Sequence, residues 1–314
     1  MNRLESLTSI LKKYKKVLIM THKNPDMDGF SSSLAFHEIL EKYGIYNKVY
    51  LNDDNLDITI KKLLINYDGK DCFCEDLNDD YDLLVIIDVN RKELVENEEA
   101  LEKIKDILII DHHIKGIGSI DAKYEIASTK YSSASEIIAT YIRDNDIRLN
   151  KKIYTFLLSG MEIDTKSFTV RLSKDTFYAA AYLLEKGADL VLKQELLKEN
   201  KIEYLKQQLF IRKSFNYKDN IMISVLDNNI YDKKYLATIS EELLQFEGVE
   251  ASFTIGMVDD NVVGISARSI GNIDVEKIMS KLNGGGHKTT AATQFTNSTL
   301  EEVKQKLISI LGGK

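Results

Sequence analysis

The chain has 314 residues, 44% hydrophobic and 29% charged, enough to fill an interior and to make about two domains of ~100–200 residues each. Such a composition excludes a disordered tail, a collagen-like fibre and a disulfide mini-protein. Lys and Arg number 42 against 49 Asp and Glu, a net charge of −7, which argues against a non-specific duplex-DNA partner and leaves open a small anionic ligand in a local pocket.

In chain order, the start carries Arg3 and Glu5 in a helical pattern and has no signal-peptide core. Lys16–Thr21 reads as a buried strand, Phe30–Tyr43 as a helix and Asn47–Leu51 as a weaker strand. Cys72 and Cys74, one residue apart, suit neither a relaxed disulfide nor a zinc knuckle, and read as reduced thiols. Leu83–Asp88 and Ile107–Asp111 are two more buried strands. Continuous apolar runs separated by helices predict a parallel sheet covered on both faces. Helices follow at Ser133–Asp144, Lys151–Met161, Lys174–Lys186 and Asp189–Leu197, and the charged helical run Lys198–Lys213 reads as a connector. Beyond Asn220 the pattern changes to strands at Ile221–Leu226, Ala251–Val258, Val262–Arg268 and Ala291–Phe295, with helices at Lys233–Phe246, Val275–Leu282 and Ser298–Leu311. The expected fold is therefore α/β: a parallel-sheet domain over 1–195, a helical linker over 196–217 and a smaller α+β domain over 218–314. No stretch approaches the ~18 apolar residues of a membrane helix, and the cytoplasm is the expected location.

The acidic signals fall where predicted strands end. The first strand runs into His22-Lys-Asn-Pro25-Asp26-Met-Asp28-Gly29, the third ends at Asp88 and the fourth at Asp111-His112-His113. The helix from Lys151 runs into Glu162-Ile-Asp164. In open α/β sheets, ligands bind beyond the carboxyl ends of strands. Singly, Asp26 or Asp28 could cap a helix, Asp88 end a strand and Asp164 occupy a turn. Jointly, His22, Asp26, Asp28, Asp88, His112 and Asp164 would put uncompensated carboxylates on one sheet edge, which cations must neutralise. Carboxylate and imidazole donors suit Mn²⁺, with Mg²⁺ or Fe²⁺ behind it, and six such donors can hold two ions bridged by one carboxylate. A second constellation joins Ser266-Ala-Arg268-Ser269 to Gly284-Gly285-Gly286-His287, where close backbone approach and a guanidinium suit a phosphate. A triple glycine alone is more often just a flexible loop. Ser133 before Glu136 reads as a helix cap, His37 as a structural histidine, and Arg171 as a phosphate contact or a surface ion pair.

The His22-x-x-Pro25-Asp26-x-Asp28, Asp88, Asp111-His112-His113 and Asp164 pattern resembles the four motifs of the DHH phosphoesterase superfamily. Arg268 and Gly284–His287 resemble its DHHA1 domain. Met27-Asp28, Glu162–Phe168, Lys186–Asp189 and Ile265–Ser269 with Ile273–Val275 are most similar to cyclic-di-AMP phosphodiesterases of the GdpP type. That resemblance implies one Mn²⁺ on His22, Asp26 and Asp88 and another on Asp28, Asp88, His112 and Asp164. It implies that Asp111 orients His112, and that His113 faces the scissile phosphate. Ser266, Arg268, Gly284, Gly285, Gly286 and His287 would grip a second phosphate in a cleft between the two domains. The implied reaction is hydrolysis of cyclic di-AMP to pApA, and on to AMP, by metal-activated hydroxide. The alternative is a nanoRNase on short linear oligonucleotides, with or without adenosine 3′,5′-bisphosphate phosphatase activity. An inorganic pyrophosphatase is disfavoured by the Gly284–His287 loop, and a nucleotide receptor that has lost catalysis by the complete ligand set. The transmembrane, sensory and cyclase-like modules that precede the catalytic pair in membrane-bound GdpP proteins are not in this sequence. A homodimer is common in such families.

Overall fold

The computed structural model describes residues 4, 6–52, 56–116, 118–218 and 220–312. The chain divides into two compact units, residues 1–198 and 199–314.

In the first unit, α1 (Leu7–Leu11) leads into β1 (Lys16–Met20), α2 (Met27–Lys42), β2 (Tyr46–Tyr50), α3 (Ile58–Asn66) and the short β3 (Phe73–Cys74). Then come β4 (Leu83–Ile87), α4 (Glu99–Lys103), β5 (Ile107–Asp111), β6 (Tyr124–Ala127), α5 (Ala134–Asp144), α6 (Lys151–Asp164), α7 (Lys174–Glu185) and α8 (Leu190–Leu197). The strands form one parallel sheet in the order β3-β2-β1-β4-β5-β6. Alternate residues of the central strands serve opposite faces. Val17, Ile19, Val85, Ile87 and Leu108 pack with α2, α5 and α6, while Leu18, Met20, Leu84, Ile86 and Ile109 pack with Val95, Ala100 and Ile104. Both faces are apolar, which is why these strands read as unbroken hydrophobic runs. Strand order reverses between β1 and β4, and the crevice beyond their carboxyl ends is the site such a topology provides for ligands.

The second unit contains α9 (Lys201–Lys213), β7 (Phe215–Lys218), β8 (Ile221–Ile230), α10 (Lys233–Leu243), β9 (Ala251–Asp259) and β10 (Val262–Ser269). It ends with α11 (Val275–Ser280), β11 (Gly285–His287), β12 (Thr290–Thr296) and α12 (Leu300–Gly312). The sheet order is β11-β12-β10-β9-β8-β7, parallel only between β8 and β9. Phe253, Ile255, Val263, Ile265 and Ala267 face Val275, Met279, Val303 and Leu307, so α11 and α12 cover one side. On the other, Phe210 of α9 packs with Leu226, Tyr231, Leu236 and Ile239.

The stretch 196–217 is not a free-standing linker. Leu196 is buried in the first core, the helix stops at Lys198, and Asn200 caps a new helix by accepting from the amides of Ile202 and Glu203. That helix packs into the second unit, where Gln207 and Gln208 donate to Glu242. The Gly284–His287 segment is likewise ordered: its last three residues form β11 rather than a loop.

Candidate metal centre

Beyond β1, Thr21 donates from Oγ1 to the Ile87 carbonyl at 2.9 Å and ties that strand end to the end of β4. Asp26 caps α2, accepting from the amides of Asp28 and Gly29 at 3.0 and 3.1 Å. A Cβ at Gly29 would collide with Thr21 and crowd Asp88 and His22, so glycine is what lets the first turn of α2 press onto the strand ends. Asp88, just past β4, has φ +64°, a left-handed conformation that costs a non-glycine residue on the order of 1–2 kcal/mol. Strain of this kind is held where the surrounding structure dictates it, and here it lies at the centre of the cluster.

The structure brings all six predicted ligands to this edge. His22 Nε2 is 3.6 Å from Asp26 Oδ1 and 3.8 Å from Asp88 Oδ2. His112 Nε2 is 3.1 Å from Asp88 Oδ1, 3.2 Å from Asp164 Oδ2 and 4.0 Å from Asp28 Oδ2. Within each of two sets, His22–Asp26–Asp88 and Asp28–His112–Asp164, ligand atoms lie within 4.8 Å of one another. Asp88 touches both sets, one oxygen toward each imidazole. Asp88 Oδ1 and His112 Nε2 are buried, and neither is aligned for a hydrogen bond among the described residues. Buried polar atoms left in this state are costly unless something else engages them. Oxygen and imidazole donors converging on a small volume fit a divalent cation.

The electrostatics carry the same message. Burial pushes Asp88 up to about 6 despite the opposing influence of His112. Burial also raises Asp28 well above the usual carboxylate range, with Asp88 and Asp164 adding to the shift. Burial alone would lower the two imidazoles, but Asp26 and Asp88 bring His22 to about 9, and Asp164 and Asp88 bring His112 to about 10. In the metal-free protein the protonated rings therefore stand in for cations.

Asp28 has a second job: its oxygens accept from the Ala134 and Ser135 amides at 2.7 and 2.9 Å, at the start of α5. Asp111 does not hold the ring of His112. Its Oδ1 accepts from the His112 amide at 2.8 Å and faces His113 Nδ1 at 2.8 Å, so the oriented imidazole is that of His113, whose side chain is 51% exposed. Asn90 completes the arrangement by donating to Asp111 Oδ2 at 2.5 Å. Sequence reading missed Asn90, and its only signal was its place two residues beyond Asp88. Ser133 caps α5 by accepting from the Glu136 amide, and His37 is buried against Asn47 at 2.6 Å, both structural as expected. Arg171 pairs with Asp164 Oδ2 at 3.2 Å.

In the second unit, register places Arg268 opposite Thr290 and Thr290 opposite His287, one cross-strand row. Arg268 donates from Nε to Glu241 Oε1 at 3.1 Å and from Nη1 to Ser266 Oγ at 3.2 Å. Side chains at Gly284 or Gly286 would collide with the backbone of β12, and Gly286 has φ +149°, so those two glycines serve strand pairing. Gly285 meets nothing, and His287 is exposed. The structure thus groups Ser266, Arg268 and His287 around one end of the second sheet.

A parallel sheet with carboxylates and imidazoles gathered at its switch point, followed by a mixed-sheet unit, defines an α/β protein with a candidate metal centre. The particular lineage follows from comparison. The chain carries two family domains: the model of the DHH family, N-terminal domain, matches residues 16–161, and that of the DHHA1 domain matches residues 218–313. It is 33% identical over 318 residues to "Cyclic-di-AMP phosphodiesterase GdpP" of Bacillus subtilis (strain 168), covering 96% of this chain and 48% of that one. It is 31% identical over 321 residues to "Cyclic-di-AMP phosphodiesterase PdeA" of Listeria monocytogenes, covering 98% and 49%. The chain thus spans about half the length of these curated relatives. Among solved structures, an exopolyphosphatase-related protein from Bacteroides fragilis has the same fold, with a TM-score of 0.80 at 21% identity over 99% of this chain and 98% of that one.

Proposed function

We propose that this chain is a Mn²⁺-dependent phosphodiesterase that hydrolyses cyclic di-AMP to pApA and onward to AMP. The observation that carries the reading is Asp88, a strained, buried carboxylate shared between two imidazole-containing ligand sets. Similarity to two proteins named cyclic-di-AMP phosphodiesterases, extending over nearly all of this chain, supports the substrate. His22, Asp26 and Asp88 would hold one ion, and Asp28, Asp88, His112 and Asp164 the other. When bound, the two ions would neutralise the carboxylates, activate water and polarise the phosphate. His113, held at Nδ1 by Asp111, keeps its raised proton affinity chiefly through that hydrogen bond and supplies a proton from Nε2 to a phosphate or leaving oxygen. Arg268, with Ser266, Gly284, Gly285, Gly286 and His287, grips a second phosphate of the dinucleotide.

The test is turnover of cyclic di-AMP, pApA, a short RNA and adenosine 3′,5′-bisphosphate by purified protein with Mn²⁺, products separated by chromatography. The highest kcat/KM should fall to cyclic di-AMP, with pApA appearing first. Turnover of linear substrates alone would replace the signalling role with nucleotide recycling.

A further inference from the structure

The segment after α6 turns back on itself. Lys166, Ser167 and Phe168 have φ of +47°, +56° and +58°, three consecutive non-glycine residues in the left-handed region, and Arg171 follows at +55°. Buried Thr165 organises this turn: its hydroxyl donates to the Met161 carbonyl at 2.6 Å and accepts from the Phe168 amide at 3.0 Å. Its carbonyl accepts from the Thr169 and Val170 amides at 2.8 and 3.0 Å. The outcome is that Arg171 returns to Asp164, and Nη2 donates to the Asp164 carbonyl at 2.8 Å and to Oδ2 at 3.2 Å.

Only one nitrogen of the guanidinium is engaged. Nε and Nη1 make no hydrogen bond among the described residues, and the side chain is 51% exposed. The carboxylate oxygen it touches is itself 3.2 Å from His112 Nε2. A planar fork is therefore fixed at one end beside the candidate metal centre, with its remaining donors unbonded among the described residues. A guanidinium held at one end still presents a rigid fork of donors that suits the oxygens of a phosphate.

We infer that Arg171 is a phosphate-binding residue of the metal centre, its free N–H groups taking a non-bridging oxygen of the phosphoryl group attacked there. This rests on the phosphodiesterase reading above. The competing account is that Arg171 merely caps α6 and steadies Asp164. The two differ in sign at the metal. A cation beside Asp164 repels a divalent ion, so its removal should leave Mn²⁺ affinity unchanged or tighter, whereas loss of a steadying contact should weaken it.

The experiment uses the full chain as wild type, R171A and R171K. It reads Mn²⁺ affinity by calorimetry, melting temperature, affinity of the Mn²⁺-loaded protein for inorganic phosphate, and KM for bis(4-nitrophenyl) phosphate. R171A should bind phosphate about 10- to 100-fold more weakly, since a charge-assisted contact is lost. It should bind Mn²⁺ at least as tightly as wild type, with R171K between the two because a point charge replaces the fork. Unchanged phosphate affinity, or Mn²⁺ affinity and melting temperature falling together with it, would overturn the assignment. Should R171A fail to fold, R171K decides on the same readouts. A wild type that hydrolyses no phosphodiester defeats the functional reading instead, and the phosphate and Mn²⁺ titrations still decide Arg171.

Discussion

The two polar constellations of this chain differ in how far the fold satisfies them. In the second unit, Arg268 is paired with Glu241 and Ser266, and Gly284 and Gly286 are committed to strand pairing. A ligand at Arg268 must compete with contacts already made, while His287 stands exposed. At the edge of the first sheet the reverse holds. Asp88 is strained, Asp88 Oδ1 and His112 Nε2 are buried without hydrogen bonds among the described residues, and several carboxyl groups crowd together. That site is incomplete by construction, which is the physical signature of a place where something binds. A satisfied cluster tunes recognition, while a frustrated one demands a partner.

The first site is most vulnerable at Asp88. Asp88→Ala should lower kcat by roughly 10³-fold or more, as loss of a central charged group in a preorganised site does. Metal stoichiometry should drop in a direct binding measurement. An Asp88→Ala protein with normal stoichiometry and turnover would remove the shared-carboxylate assignment.

Acidity also acts on the first site. Each proposed ion must displace a proton, from His22 at about 9 or from His112 at about 10. Affinity should therefore rise about tenfold per pH unit per displaced proton between pH 7 and 9, and calorimetry in buffers of different ionisation enthalpy should show proton release. For the metal-free protein the sign is opposite. Raised imidazole values stabilise the fold below their unfolded value near ~6.5, and this is lost as pH climbs through 9 to 10. The raised Asp88 acts in the same direction from about 4 to 6. Melting temperatures of the apo protein should fall with pH while those of the Mn²⁺-loaded protein hold, so the two curves diverge. Parallel curves would contradict the site's electrostatics.

The smallest effect belongs to the second unit. Gly286→Ala should cost about 1–3 kcal/mol through collision with β12 and a left-handed φ, read as a lower midpoint in urea unfolding. Metal affinity should not change. A Gly286→Ala protein as stable as wild type would return this segment to the loop expected from its composition.

Much of the first unit was legible because its strands are buried on both faces: Leu83–Asp88 admits hardly any other reading, and its terminal carboxylate follows directly. The cluster was legible because charges at strand ends need a reason. What escaped detection was short or solitary. Gly285–His287 carries no apolar side chain to betray a strand, and Phe73–Cys74 is too brief for alternation to register. The charged pattern of Lys201–Lys213 hid that this helix packs into the second unit instead of serving as a connector. Asn90 and Thr165 act through side-chain hydrogen bonds that no periodicity announces. Asp111 was expected to serve His112, but distinguishing adjacent histidines requires knowing which ring turns back on the carboxylate.

The left-handed peptide at Asp88 also ranks the replacements open to an experimenter who wants a captured complex. Alanine removes the carboxylate but resents the backbone angle, and glycine relaxes the backbone but empties the space. Asparagine tolerates the same conformation and is nearly identical in shape, so Asp88→Asn deletes the charge while sparing the local chain path. It is the variant with which to trap the proposed dinucleotide substrate for crystallography.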